Sequence, residues 1–197
     1  RWHAAGAVLE DLSIRWPRDA LALQAGHQID FFVGHSRMLR DRIARAMPAW
    51  SKDMAGHHAT LAMHAFGLEE TANYARAEDV GRHALSLNPR DPWAVHAVQH
   101  CFEMQGRIHD GVEWLNATAP NWSDSALAFH NWWHLALHQL ELGDIPAALG
   151  IASRLAGEDG DERVDVGLRI ADAIERVVEQ ASCRDSPTAQ VVRVCPD

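Results

Sequence analysis

Cysteine is scarce in this chain: Cys101, Cys183 and Cys195 are the only three, and no two form a CxxC pair. An odd, unpaired count excludes a disulfide framework and fits a reducing, cytoplasmic setting. No apolar run reaches the roughly 20 residues that cross a bilayer, so no membrane partner is expected. No signal peptide is visible, but the chain opens on Arg1 rather than Met, so sequence is expected to be missing at the start. Basic stripes are absent too. Eighteen Lys and Arg against 27 Asp and Glu leave a net charge of −9, which disfavours a nucleic-acid groove. There is no GxGxxG, GxxxxGK[ST], GxSxG or HExxH, so no phosphate cradle, nucleophile elbow or paired-histidine protease motif accompanies the chain. Val, Ile, Thr and Tyr are sparse before the C-terminal stretch, which argues against sheet.

What remains is rich in Ala, Leu, His, Arg and Glu, with 47% hydrophobic residues, and favours an all-α fold with a real core. Gly34, Ala72, Gly106 and Gly143 break helical patterns at intervals of 38, 34 and 37 residues. A period near 34 with one turn in the middle is the signature of stacked helix–turn–helix repeats, a right-handed α-solenoid. The reading places a repeat array over 1–155: a partial repeat at 1–17, then repeats at about 20–53, 58–91, 92–125 and 129–157.

The 58–91 unit is the clearest. Leu61, Ala65 and Leu68 pack its first helix, Asn73-Tyr74 makes the turn, Ala77 and Ala84 allow close helix approach, and Pro89 ends it. Val95, Val98, Phe102 and Leu115 serve the next unit, with Gly111 where Ala is usual. Trp132, Leu135, Ala136 and Ala148 serve the last. The weaker unit before them uses Leu23, Leu39, Ile43 and Ala46, and the opening stretch, with Ala5, Leu9, Leu12 and Pro17, reads as the second helix of a repeat whose first helix is absent. Beyond the array, residues 158–181 read as an amphipathic capping helix with an apolar stripe of Val164, Leu168, Ala171, Ile174 and Val178. Residues 182–197 read as a fraying tail.

Thirteen histidines stand out, and five recur at i, i+4 spacing: His96 and His100, then His130, His134 and His138. In a solenoid of this kind the first helix of each repeat faces the concave side, at about positions 2, 5, 6, 9, 12 and 13. That register turns Glu69, Glu70, Trp93, His96, His100, Glu103, His130, Trp133 and His134 toward one groove, and leaves His138 at its edge. Phe66, Ala62, Met63, Leu137 and Glu141 join them, while Trp132 falls at a core position. His3, His27, His35, His83 and His109 read as surface residues, and His57-His58, at a helix start, equally as an exposed or capping pair or as part of a site. The ordinary fate of a helical histidine is partial exposure, or burial with one ring nitrogen bonded to a carbonyl.

Three sharper readings compete with that. A peptide or small ligand fits a groove where Trp supplies area and His and Glu supply directed hydrogen bonds. A divalent metal fits His96, His100 and Glu103 in the pattern H-x3-H-x2-E, completed by His130 or His134. Acid–base catalysis fits imidazoles that titrate near neutrality beside Glu69, Glu70 or Glu103. Cys101, in a helical run, reads as a small core residue rather than a nucleophile.

Beyond the generic pattern, the runs LNPRDPWAVHAV, EMQGR and HNWWHLAL resemble the tetratricopeptide repeat protein 38 family over about residues 20–150. The resemblance implies a helical repeat scaffold without an assigned activity. The text departs from the family past Ile151, and the family's N-terminal repeats have no counterpart here. The carboxylate clamp used by some tetratricopeptide repeats needs Lys, Arg and Asn at the inward positions. His, Trp and Glu stand there instead, so a cationic or metal-bearing ligand is expected rather than an acidic tail.

Overall fold

The computed structural model describes residues 1–157, with side chains to residue 155. The expected capping helix, the tail, Cys183 and Cys195 lie outside the described residues. Regular structure among them is all helical: α1 (Trp2–Arg15), α2 (Ala20–Phe32), α3 (Ser36–Ala46), α4 (His57–Glu69), α5 (Tyr74–Leu87), α6 (Pro92–Met104), α7 (Ile108–Trp122), α8 (Ala128–Glu141) and α9 (Ile145–Gly157). A 3-10 turn at Met47–Ala49 follows α3. The chain forms two compact units, Arg1–Ala128 and Phe129–Asp197.

The turns inside the helix pairs share one local device. Gly34, Ala72, Gly106 and Gly143 all have positive φ, between 60° and 75°. The amide after each bonds five residues back (His35 to Asp30, Asn73 to Leu68, Arg107 to Phe102, Asp144 to Gln139), and each turn residue's own amide bonds three back. These are Schellman caps: the left-handed residue lets two amides reach carbonyls left unpaired at the helix end. Three of the four are glycine, which adopts this conformation freely. Ala72 does so against the clash of its Cβ. At the opposite ends, Asp19 accepts from the amide of Ala22, and Asp91 from those of Trp93 and Ala94 ahead of Pro92.

In the first unit, α4 is central. It packs on α3, α5 and α6, and its residues from Thr60 to Glu69 are all buried. Leu61, Ala62, Ala84 and Ala94 form one core cluster, Leu68, Ala77 and Cys101 another, and Leu39, Ala65, Phe66 and Ala97 a third. Close packing depends on small residues. A Cβ on Gly67 would stand 2.6 Å from the Arg40 Cα, so α3 and α4 cross there nearly backbone to backbone. On α5, Ala77, Gly81 and Ala84 make one small-residue face, and a Cβ on Gly81 would meet Val98 at 2.5 Å.

The apolar residues of the opening helix are not its anchors. Ala5 is exposed, Leu9 and Leu12 are half-buried, and the buried residues of α1 are Gly6 and Ser13. The reason is polar. Arg42 of α3, 1% exposed, reaches through the first three helices. Its guanidinium donates to Asp30 Oδ2 at 2.7 Å and Oδ1 at 3.1 Å, to Ser13 Oγ at 3.1 Å and to the Gly6 carbonyl at 3.4 Å. It also pairs with Glu10 at 2.9 Å. A larger residue than glycine at 26 would occupy the guanidinium's own space, at 2.8 Å.

The second unit carries α8 and α9. Asn131, His134, Leu135, Ala136 and His138 are buried on α8, and Ala148, Ile151 and Ala152 on α9. Trp132, expected in the core, is half-buried, with the Arg154 guanidinium 5.2 Å over its ring. That position lets the indole pack on one side and hold a cation on the other.

Candidate functional site

Within the first unit, packing of α2, α4 and α6 creates a row of aromatic rings. Phe66 of α4 lies 5.5 Å from Phe31 and 5.9 Å from His27, both on α2. On its other side it lies 5.5 Å from His96 and 5.6 Å from His100, both on α6. Trp93 closes the row edge-on to His96 at 6.0 Å, and at 44% exposure it presents a large apolar face to solvent. Such T-shaped and tilted contacts place ring edges on ring faces, the arrangement aromatic quadrupoles favour.

The i, i+4 spacing turns His96 and His100 toward each other, Nε2 to Nε2 at 2.9 Å. Behind His100, Glu69 Oε2 lies 3.7 Å from Nδ1. Glu69 is 4% exposed, and burial, with repulsion from Glu70 and Glu103 added, pushes its carboxyl up to about 8. Burial also raises Glu70. The Glu69 carboxyl therefore holds its proton near neutrality, or gives it up when a cation arrives.

Sequence-predicted residues in this unit thus converge: Glu69, His96 and His100 touch or nearly touch. Glu70 and Glu103 are half-buried close enough to act on Glu69, and Trp93 stands at the rim. In the second unit, His130 and His134 repeat the pairing, Nε2 to Nε2 at 3.1 Å, and Trp133 stacks on His130 at 5.3 Å. His138, expected at the edge of the set, is fully buried.

His27 is a correction: read as a surface residue, it is buried, and desolvation, with Arg42 adding to it, lowers its pKa to about 4 against a backbone hydrogen bond with Leu39. Phe31 was also missed. Counting from Ala20 puts it at position 12, an inward position, so the register held the signal. His57, read as exposed, capping or part of a site, is buried at the start of α4, while His58 pairs through Nδ1 with Asp91 at 2.6 Å. That ties the first helix of one pair to the cap of the next. His64 is buried as well, its pKa lowered to about 4 by desolvation and by Arg76 and Arg40. Cys101 is a core residue: its Sγ donates to the Ala97 carbonyl at 3.3 Å, and burial pushes the thiol up to about 12. At that value it is no nucleophile.

No family model matches the chain. Among solved structures it is similar to a thermophilic tetratricopeptide-repeat protein of Thermus thermophilus, at 17% identity over 89% of this chain and 91% of that one, with a TM-score of 0.68. At that identity the likeness is one of fold, and the chain has the all-α, tetratricopeptide-like solenoid fold.

Proposed function

We propose that this chain is a helical-repeat scaffold whose first helices present a His-, Trp- and Glu-lined groove to a cationic peptide or small ligand. Glu69, Glu70, Trp93, His96, His100 and Glu103 supply it in the first unit, and the second unit carries its own set of His130, Trp133 and His134 on α8. The observation carrying this reading is the row from Phe31 through Phe66 to Trp93, with the carboxyl groups of Glu69, Glu70 and Glu103 beside it. Aromatic rings give contact area at little entropic cost, and buried acidic groups favour a positively charged guest. The runs LNPRDPWAVHAV and HNWWHLAL support placement in the tetratricopeptide repeat protein 38 family. Among the described residues no helix is long and apolar enough to cross a membrane, and three cysteines without a CxxC pair support a cytoplasmic setting.

A displayed random-peptide library selected on the purified chain tests this. Recovered peptides should be rich in Lys and Arg. Trp93→Ala should weaken the binding of peptides held in the first unit at least about tenfold while helicity stays intact, and Trp133→Ala should do the same for peptides held on α8. Recovery of no peptide, or of peptides indifferent to both changes, refutes the groove.

A further inference from the structure

We propose that His96 and His100 chelate a divalent transition-metal ion through their Nε2 atoms, with Glu69 holding His100 from behind, and that His130 and His134 form a second chelating pair on α8. This deepens, and rests on, the reading of the histidine face as a binding surface.

Distance is the first argument. Two imidazoles on one ion, each at about 2.0–2.1 Å, stand about 2.9 Å apart at a right angle and about 3.4 Å apart at the tetrahedral angle. The observed separations are 2.9 Å for His96–His100 and 3.1 Å for His130–His134. In both pairs it is Nε2 that converges, so helix geometry has already brought the donor atoms to chelating distance.

The second argument is what stands behind the ring. An ion on Nε2 leaves the proton of His100 on Nδ1, the atom that faces Glu69 Oε2 at 3.7 Å. A carboxylate at the far nitrogen fixes tautomer and ring orientation and makes the ligating nitrogen more basic. The wall supplies the third. Phe66 lies against both rings of the first pair, and Trp93 against His96, so the donors sit beside a low-dielectric surface that strengthens their field. Imidazole ligands select zinc and its transition-metal neighbours rather than magnesium or calcium, which take oxygen.

The test uses tag-free, full-length protein stripped with chelator and then titrated with zinc chloride by calorimetry. Cobalt chloride serves as the visible-absorbance probe and calcium chloride as the negative control. At least one equivalent of zinc should bind. His100→Gln should weaken uptake at the first pair at least about tenfold and Glu69→Gln by about 10–100-fold there, and His130→Gln should weaken uptake at the second pair at least about tenfold. His3→Gln, on an exposed ring of α1 that lies against His35, should leave uptake unchanged. His100 is 22% exposed, so its glutamine variant is the one expected to keep its fold, checked by far-UV circular dichroism. A rise in the melting temperature of the unaltered chain on adding zinc gives a second readout. Absence of stoichiometric zinc uptake overturns the proposal, as does uptake indifferent to His100→Gln and His130→Gln. Selected peptides that still bind in chelator while zinc does not would overturn the metal site alone. Zinc uptake without peptide binding would overturn only the peptide reading.

Discussion

Replacing Arg42 by methionine should loosen the start of the chain more than any apolar deletion there. Asp30 and Arg42 form a two-pronged pair that is 4% and 1% exposed, and Ser13, Gly6 and Glu10 take the remaining guanidinium contacts. Removing one partner of such a pair leaves a buried charge without compensation, at a cost of about 3–5 kcal/mol. Of α1 itself only Gly6 and Ser13 are buried, so apolar burial offers little to replace the lost bonds. Met fills a similar volume, so the cost reports on charge and hydrogen bonds rather than on a cavity. The double variant Arg42→Met/Asp30→Leu removes both charges and should cost well under the sum of the single changes, with a coupling of about 2 kcal/mol or more. Urea unfolding followed by far-UV circular dichroism gives the four stabilities of the cycle. Hydrogen exchange should show α1 amides losing protection first in Arg42→Met. Single changes that cost under about 1 kcal/mol, or a cycle that is additive within about 0.5 kcal/mol, would refute the claim that this network holds α1.

Stability should fall with acid in a defined window. His27 is neutral when folded because burial lowers its pKa to about 4, so the unfolded chain binds the extra proton. The contribution is intact above about pH 6.5 and is lost as pH falls from there to about 4, amounting to about 3 kcal/mol. His27→Leu should flatten that part of the difference profile against the unaltered chain, and an unchanged slope refutes the assignment. Gly67→Ala forces α3 off α4, because the atom it meets is the Arg40 backbone, and should destabilise by about 1–3 kcal/mol despite alanine's better helix propensity. A melting temperature at or above that of the unaltered chain would contradict this. Ala72→Gly relieves the only described non-glycine residue at positive φ and should stabilise by about 0.5–1 kcal/mol. Urea midpoints decide it, and a destabilised variant would sink the argument.

The helix pairs were legible because their turns are local. The four pattern breaks at Gly34, Ala72, Gly106 and Gly143 became four left-handed caps of one geometry, and a cap is set by the conformational freedom of one residue and by amides within five positions of it. The i, i+4 histidine pairs were legible for the same reason: helical spacing alone brings Nε2 to Nε2. Trp93 could be read as a rim residue because no packing position in the repeat calls for an aromatic there.

The anchor of the opening helix was not legible because it is an arginine from α3, 36 residues from Gly6, and no period in hydrophobicity marks a buried polar contact. His27 looked like a surface residue because a lone histidine in a weak repeat carries no sign of the Phe66 ring that covers it. Local sterics and helical spacing thus dictated where this chain turns and which histidines meet. Assembly of α1, α2, α3, α4 and α6 decided which polar groups were taken out of water, and so which of them hold the first unit together and which line the proposed site. Desolvation depends on neighbours supplied by distant segments, and those neighbours exist only once the helices have packed.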